Sequence, residues 1–354
     1  MVNLNRHNKS GRIISLALVI AMCLAGAFCV TGCKKEEAAS EPETKQEEDS
    51  IYGDDSFAID PAVDESLKDY RNILLLGIDN GNRSDVIMIL SINKKTNEVK
   101  SATVLRDTYM QISPDGTYEV DGVEYEFYKC NRAYKRDGIY GAMIELNRHM
   151  DLNIRECIAM DWKCMANFIE SMGGVEGYVD ENMLVFINEN VPTDDPDAHF
   201  RVDGPGQQHL NGWQTVQYMR ARKYEGGTPQ KRDARNQDVL QQLFDKAKGM
   251  STKELEEIYD KLAYQIETNM SRNTLTDTLA LISKSTLETQ EGWPYEYTEM
   301  WQDDDSFYYF VCDTLDSNVK EFHKVMFGQE NYETSETVKM LNEKLETARK
   351  EQLH

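Results

Sequence analysis

The chain has 354 residues, of which 40% are hydrophobic and 29% are charged, and its formal net charge is −23. This balance is ordinary for a soluble globular protein and supplies enough apolar residues for a sizeable core. The acidic excess argues against a nucleic-acid partner, because a phosphate backbone requires a basic surface.

The first 33 residues have the pattern of an export signal. Three basic residues and no acidic one lie in residues 1–12, and an apolar run follows over 13–30. The next residues, Val30-Thr31-Gly32-Cys33, resemble the lipobox of bacterial lipoproteins, in which the Cys33 thiol is acylated and the chain is cut before it. The alternative is an uncleaved transmembrane anchor, since about 18 apolar residues nearly span a bilayer. Both interpretations predict an extracytoplasmic location at the membrane.

Residues 34–68 are acidic, contain proline and have few large apolar side chains. Such a segment buries too little surface to offset its conformational entropy, so we predict a disordered acidic tether. The rest of the chain, residues 69–354, has the length and composition of one large folded domain.

Apolar runs predict the first strands of this domain. Residues 71–78 and 86–92 are almost continuously apolar, and residues 99–105 form a third run after a polar turn at 93–97. The second and third strands would pair as a hairpin. Continuous apolarity implies burial on both faces of the sheet, so helices should cover it.

Helical spacing of apolar residues follows over 139–150, before another predicted strand at 154–160. Asp161 would cap a helix that runs to Met172, and Gly173-Gly174 would end it.

Further helices are predicted to begin near Asn211 and to run from about Lys231 to Lys248, and residues 252–347 have a mostly helical pattern. Strands that alternate with helices indicate an α/β sandwich.

Four cysteines, Cys130, Cys157, Cys164 and Cys312, lie in the predicted domain. Their spacing argues against a structural zinc site. Cys157 and Cys164 are close enough in sequence to form a disulfide, and buried free thiols are the alternative. The sequence also has no nucleophile elbow, zinc-protease motif, phosphate-binding Walker loop or dinucleotide fingerprint, which leaves carboxylate and arginine chemistry.

Charged residues follow the ends of the predicted strands. Asp79, Arg83 and Asp85 lie between the first two strands, and Arg106 and Asp107 follow the third. Strand ends in α/β sheets line ligand crevices. Two carboxylates six residues apart can bind Mg²⁺ together with substrate phosphates. The alternative is that the two aspartates only form turns.

A second cluster contains four arginines, Arg220, Arg222, Arg232 and Arg235, followed by Asn236. Arginine is suited to bidentate binding of phosphate. Arg220 and Arg222 would converge only if their helix ends there, because residues two apart point to different sides of a helix. The alternative is a set of surface salt bridges worth about 0–1 kcal/mol each.

With these residues in place, the chain resembles the LytR–CpsA–Psr family of cell-wall glycopolymer ligases. The matching segments occur in the family's order and cover most of residues 70–250. They are NILLLGIDNGNRSDVIMILSI (72–92), VLRDTY (104–109), CNRAY (130–134), MGGVEGYV (172–179), PGQQHLNGWQTVQYMRAR (205–222) and RDARNQDVL (232–240).

The resemblance implies an α/β/α sandwich with a central mixed sheet and an apolar pocket for a polyprenyl chain. It implies transfer of a glycosyl phosphate from a polyprenyl-pyrophosphate-linked glycopolymer to a peptidoglycan hydroxyl. Asp79 and Asp85 would bind Mg²⁺ or Mn²⁺, and Asp107 would orient an arginine or assist the acceptor. Arginines would bind the pyrophosphate: Arg83, Arg106, Arg220, Arg222 and Arg232. Asn131, Arg235 and Asn236 would support that site.

The sequence departs from the family pattern at three places: Leu105 replaces a usual proline, Asp137-Gly138 a usual Gly-Gly and Asn236 a usual glutamine. Two of these changes, at Leu105 and Asn236, motivate an alternative, a polyprenyl-phosphate-binding envelope lipoprotein without catalysis. A third hypothesis, a solute-binding lipoprotein, rests only on the lipobox and the acidic tether.

Overall fold

The computed structural model describes residues 57–79, 83–114, 116–120, 122–190, 201–221, 250–272, 287–290, 292–301 and 308–352, with shorter stretches inside 235–246 and 274–278. The export signal, Cys33 and residues 34–56 of the predicted tether lie outside them. Contacts divide the chain into two compact units. We call the first the sheet unit (Cys29–Ala159, Glu267–Ser271 and Ser285–His354) and the second the helical unit (Met160–Ile266 and Arg272–Lys284, with Met1–Phe28).

The described elements occur in the following chain order. The strands are β1 (Tyr70–Ile78), β2 (Ser84–Asn93), β3 (Val99–Thr103), β4 (Tyr109–Gln111), β5 (Tyr118–Val120), β6 (Val123–Tyr125), β7 (Phe127–Lys129), β8 (Glu156–Asp161), β9 (Val175–Val179), β10 (Gly206–Leu210), β11 (Glu267–Thr268), β12 (Leu287–Thr289), β13 (Tyr297–Trp301) and β14 (Tyr308–Cys312). The helices are α1 (Pro61–Ser66), α2 (Arg132–Met150), α3 (Trp162–Ser171), α4 (Glu181–Asn190), α5 (Gly212–Arg220), α6 (Thr252–Leu262), α7 (Leu315–Phe327) and α8 (Glu336–Gln352).

The central sheet has six strands in the order β11–β8–β1–β2–β3–β12. The predicted β2–β3 hairpin is confirmed, with Ile89 opposite Ala102, and β12 adds in parallel to β3. The sheet is therefore mixed, and helices flank it. The α/β prediction is confirmed.

Both faces of β1 are buried, as its continuous apolarity predicted. Leu74 and Leu76 belong to one core cluster with Met143 of α2 and Val319 of α7, whereas Ile73, on the opposite face, is also fully buried. Burying one such side chain contributes about 1.5–3 kcal/mol. The α2 helix is interrupted at Asp137 and Gly138, where Gly138 has a φ of 59° that favours glycine.

The segment before β1 corrects the predicted tether. Residues 57–68 are ordered and include α1, whose N-cap Asp60 accepts a hydrogen bond from the amide nitrogen of Ala62 at 2.7 Å. Leu67 is fully buried, and Asp64 forms a bidentate ion pair with Arg155. The prediction of disorder over 34–68 is therefore wrong for residues 57–68, because tertiary contacts stabilise a helix too short to form alone.

The C-terminal part corrects a second prediction. Residues 252–347 were expected to be mostly helical, but they contain strands β11–β14. The β13–β14 hairpin is rich in tyrosine, and aromatic residues favour the pleated surface of a sheet.

In the helical unit, the predicted cap is confirmed. The Asp161 side chain accepts from the amide nitrogen of Cys164 at 2.7 Å and begins α3. Gly174, after the helix, has a φ of 65°, and a Cβ there would lie 2.4 Å from the carbonyl oxygen of Leu210. Only glycine fits this position without a backbone shift. The predicted helix start near Asn211 is confirmed by a capping box with Gln214.

Cys130, Cys157, Cys164 and Cys312 are free and buried, so the free-thiol alternative is confirmed. Burial raises the pKa of the Cys164 thiol to about 12, which keeps it protonated. Along the residues that the structure describes, no helix combines the length and the apolarity needed to cross a bilayer.

Candidate functional site

The turn from β1 to β2 is closed by an ion pair. The register of the two strands shifts at Gly77 and Ile78, after which the Asp79 amide donates to the carbonyl oxygen of Arg83 at 2.9 Å. In return, Asp79 Oδ1 accepts from the Arg83 amide at 2.9 Å, and Asp79 Oδ2 accepts from Arg83 Nε at 2.9 Å. The hydrogen bond that Arg83 donates to the Asp79 carboxylate is the main cause of the raised pKa of Arg83. The pair fixes the guanidinium at the end of the sheet.

Arg106, directly after β3, lies between two carboxylates. Its guanidinium forms a short ion pair with Asp85 on β2, and its Nε lies 3.5 Å from Asp107 Oδ2. Burial lowers the pKa of Arg106, but the charges of Asp85 and Asp107 raise it more, so the net pKa is raised. The guanidinium is therefore held charged in a half-buried position.

Lys129 completes this cluster, and the sequence interpretation missed it. Its Nζ lies 2.9 Å from Asp107 Oδ1, and the lysine side chain is only 14% exposed. The one available signal was a lone cation at the end of the buried, aromatic strand β7, just before the candidate Asn131. Burial of a lysine requires a paired anion, which the sequence does not identify.

Asn131 ties the strand ends together through its backbone. Its amide donates to the carbonyl oxygen of Arg106 at 3.2 Å, and its carbonyl oxygen accepts from the Ser84 amide at 3.3 Å. Its side-chain Oδ1 is buried and has no hydrogen-bond partner among the described residues. Buried amide oxygens are usually paired, so this one is suited to a ligand that brings a donor or a hard cation.

The strand-end cluster thus alternates three carboxylates and three cations. We use this name for six residues: Asp79, Arg83, Asp85, Arg106, Asp107 and Lys129. All six belong to the sheet unit, and they bring together every candidate that the sequence placed at the ends of β1, β2 and β3. Such a cluster holds its cations in place before any ligand arrives.

In the helical unit, Arg220 is the last residue of α5. The helix ends there, since Ala221 has extended backbone angles. The Arg220 side chain is exposed, and its guanidinium carbon lies 5.2 Å from the centre of the Trp162 ring. This cation–π contact orients the guanidinium and leaves it accessible to an anion.

Arg235 occupies a different environment. It is 8% exposed, and its guanidinium donates to the carbonyl oxygens of Tyr218, at 3.1 Å, and of Ala221. The last carbonyls of a helix lack partners within the helix, so Arg235 caps the end of α5. Its predicted support of a substrate stays a prediction.

Arg222, Arg232 and Asn236 lie outside the described residues. Val239 and Leu243, in the helix predicted to run from about Lys231 to Lys248, are fully buried. Convergence of the two arginine clusters stays a prediction.

The sequence model of the LytR_cpsA_psr family matches residues 28–324. The chain belongs to this family.

A LytR_cpsA_psr relative from Bacillus cereus, named polyisoprenyl-teichoic acid–peptidoglycan teichoic acid transferase TagU, is 27% identical over 213 residues. The match covers 58% of this chain and 62% of that relative, so this chain spans less than two thirds of the relative's length.

Solved structures agree on the LytR_cpsA_psr fold. A protein from Streptococcus agalactiae superimposes with a TM-score of 0.56 and 20% identity, covering 78% of this chain and 92% of the other. TagV of B. subtilis gives a TM-score of 0.52 and 22% identity, covering 75% and 99%.

A metal ion at this site would need oxygen donors from the same residues. Within the described ranges, no group of three or more histidine, cysteine or acidic side chains is arranged to hold an ion. Asp79 and Asp85 offer carboxylate oxygens, but each already binds an arginine. These two carboxylates fit a magnesium ion that takes one or two carboxylates from the protein and completes its shell with phosphate oxygens and water.

A cavity of about 580 Å³ lies elsewhere in the sheet unit, between α1 and the segment that joins α7 to α8. Its lining includes Asp60, Glu333 and Glu336, so it differs from the predicted apolar pocket. The polyprenyl pocket therefore stays a prediction.

Proposed function

We propose that this LytR_cpsA_psr protein transfers a glycosyl phosphate from a polyprenyl-pyrophosphate-linked glycopolymer to a hydroxyl of peptidoglycan. The single observation that supports this most is the strand-end cluster, in which Arg83, Arg106 and Lys129 each form an ion pair with a carboxylate. The names of its teichoic acid transferase relatives supply the substrate classes.

The chemistry requires positioning and charge neutralisation. The acceptor oxygen attacks the phosphorus bound to the glycan and forms a new P–O bond. The bond from that phosphorus to the bridging oxygen breaks, polyprenyl phosphate leaves, and the hydroxyl proton passes to a base. Negative charge grows on the leaving phosphate, which fixed guanidinium groups stabilise. No external energy source is needed, because the pyrophosphate link is already activated.

The residues take the following roles in this proposal. Arginines bind the pyrophosphate, namely Arg83, Arg106, Arg220, Arg222 and Arg232. Asn131, Arg235 and Asn236 support them. Asp107 orients Arg106 or receives the acceptor proton; its 3.5 Å distance from Arg106 Nε supports the first role. The polyprenyl chain occupies an apolar pocket.

Asp79 and Asp85 would hold Mg²⁺ or Mn²⁺, which supplies positive charge next to the phosphates. The unpaired Oδ1 of Asn131 is a further oxygen donor in the same unit. Calorimetric titration of Mg²⁺ into the wild-type chain and Asp85→Asn, without substrate and with inorganic pyrophosphate, measures this binding directly. We expect binding only with pyrophosphate, and weaker binding in the variant.

We also propose that the protein acts at the extracytoplasmic face of the cell membrane, lipid-anchored at Cys33. The lipobox-like sequence supports acylation, and a transmembrane helix over the same apolar run is the second possibility. If Cys33 is acylated, Cys33→Ala would abolish incorporation of labelled fatty acid. If a transmembrane helix anchors the chain, the same variant would stay attached to the membrane.

A second candidate function is a polyprenyl-phosphate-binding lipoprotein without catalysis. It is motivated by the two departures from the family pattern at Leu105 and Asn236. A transfer assay with a polyprenyl-pyrophosphate glycan, Mg²⁺ and peptidoglycan distinguishes the two functions. A transferase releases polyprenyl phosphate and attaches the glycan covalently to peptidoglycan. Arg220→Ala should then lower the rate at which both products form. Tight binding without either product would favour the second candidate.

A further inference from the structure

The β13–β14 hairpin has one outer face, which is exposed or half-buried except at Cys312, and on β14 an opposite face in the core. Its register pairs Tyr297 with Cys312, Glu299 with Phe310 and Trp301 with Tyr308. Side chains alternate between the faces of a strand, so these residues share one face. The neighbours on the other face, Tyr309 and Val311, are buried.

Four rings form a continuous row on the outer face. The ring centres lie 5.0 Å apart for Tyr297 and Phe310, and 5.6 Å apart both for Phe310 and Tyr308 and for Tyr308 and Trp301. Three of these rings are well exposed, with 39% for Tyr297, 36% for Tyr308 and 43% for Trp301. We call this set the aromatic row. Adjacent exposed rings of this kind mark an interaction site more often than scattered ones do.

The aromatic row is continuous with the strand-end cluster. Lys129 Nζ lies 4.9 Å from the centre of the Tyr308 ring and bonds Asp107 at the same time. The Phe310 amide donates to the carbonyl oxygen of Asp107 at 3.1 Å. A chain bound along the row would therefore pass beside the charged groups that we assign to phosphoryl transfer.

The aromatic row has the chemistry of a surface that binds sugar rings. The faces of aromatic rings are negative, and they attract the weakly positive C–H groups on one face of a pyranose ring. The Glu299 carboxylate is exposed on the same face and can accept hydrogen bonds from sugar hydroxyls. A membrane surface fits less well, because the exposed Glu299 carboxylate on the same face would be repelled by anionic lipids.

We propose that the aromatic row binds pyranose rings of the acceptor glycan strand and delivers an acceptor hydroxyl to the strand-end cluster. The binding of sugar follows from the hairpin itself, and the identity of that sugar as the acceptor rests on the proposed function.

A titration of the purified full-length chain with a hexasaccharide of β-1,4-linked N-acetylglucosamine tests the row without any turnover. We expect wild type to bind and Trp301→Ala to bind about tenfold more weakly, the loss of about one stacking contact. Trp301→Phe should bind nearly as wild type, because it keeps a ring. The control is Tyr178→Ala, which removes an exposed tyrosine from β9. No binding by wild type, or equal binding by Trp301→Ala, would overturn the proposal.

Transfer kinetics then separate this proposal from the proposed function. In Trp301→Ala and Tyr297→Ala, the KM for the acceptor should rise while the KM for the donor and kcat stay unchanged. Normal transfer with an unchanged acceptor KM in both variants would reject the aromatic row as the acceptor site and leave the proposed function standing. Absence of transfer in wild type would reject the proposed function, while the titration would still decide whether the row binds sugar. Binding to phosphatidylglycerol vesicles that Trp301→Ala abolishes, without binding of the hexasaccharide, would show a membrane contact instead.

Discussion

The ammonium nitrogen of Lys129 lies 2.9 Å from a carboxylate oxygen of Asp107, and both side chains are largely withdrawn from water. The other cation paired with Asp107 is Arg106, at 3.5 Å. Removing Lys129 leaves Asp107 with only the longer contact to Arg106, and breaking a buried pair costs about 3 kcal/mol, the low end of its range. We expect Lys129→Met to lose about that much unfolding free energy, measured by urea denaturation.

The matched control for this prediction is Lys95→Met. Lys95 forms an ion pair with Asp69, but its side chain is 69% exposed. Exposed pairs contribute about 0–1 kcal/mol, so this variant should stay close to wild type. Equal losses in the two lysine variants would show that the Asp107 pair is no more than a surface contact. Adding Asp107→Asn to Lys129→Met should recover part of the loss, because it removes a buried carboxylate charge that Arg106 compensates only in part, while Arg106 keeps its pair with Asp85.

Arg235 is expected to act on stability, since its guanidinium donates to two carbonyl oxygens at the end of α5. Losing buried hydrogen bonds leaves these acceptors unpaired, and Arg235→Met should lower the unfolding free energy by about 1–3 kcal/mol. Arg272→Met is the control, because Arg272 pairs with Asp260 at an exposed position. A variant as stable as wild type, with a raised KM for the donor, would instead show that Arg235 acts only on the substrate.

Glu145 and His149 lie one turn apart on α2 and give opposite pH dependences of stability. Burial raises the pKa of Glu145 to about 7, so the folded chain keeps this proton while the unfolded chain loses it above its ordinary pKa of 4.5. The resulting contribution to stability falls as pH rises between these values. Burial lowers the pKa of His149 to about 3, whereas the unfolded chain takes up a proton below 6.5. That contribution is lost as pH falls.

In wild type the pH dependences of the unfolding free energy that Glu145 and His149 cause offset each other. A variant that removes one of the two groups should show the pH dependence of the other. Between about pH 7 and pH 5, Glu145→Gln should lose about 2 kcal/mol of unfolding free energy, because only the His149 slope remains. His149→Gln should gain about 2 kcal/mol over the same interval. Urea denaturation across this range measures both. Two variants that keep the wild-type profile would contradict the buried protonation states.

The parts of the fold that the sequence predicted are those with strong local signals. Continuous apolar runs predicted β1 and β2, the cap Asp161 predicted the start of α3, and the helical pattern from near Asn211 predicted the start of α5. The α1 helix was missed because its six residues depend on distant contacts, such as the hydrogen bond from Asn147 Nδ2 to the carbonyl oxygen of Phe57 at 3.0 Å. Local propensity carries no record of such contacts.

The candidate site shows the same division. The positions of Asp79, Arg83, Asp85 and Arg106 at strand ends followed from the pattern, and the structure brings them into ion pairs within the sheet unit. The partner of Asp107 could not be predicted, because Lys129 lies 22 residues further along the chain. The lysine reaches Asp107 only because β4 and β7 pair. Capping of α5 by Arg235 likewise depends on tertiary structure.

The most direct test of the proposed transfer is the rate at which Arg106→Ala releases polyprenyl phosphate from a polyprenyl-pyrophosphate glycan in the presence of Mg²⁺. Arg106 is held between Asp85 and Asp107, and loss of one charge partner of the transition state should slow the reaction by about 10²-fold or more. Arg155→Ala, which breaks the ion pair with Asp64 in the same unit, should keep a rate close to that of wild type. Equal rates in wild type and Arg106→Ala would contradict the account.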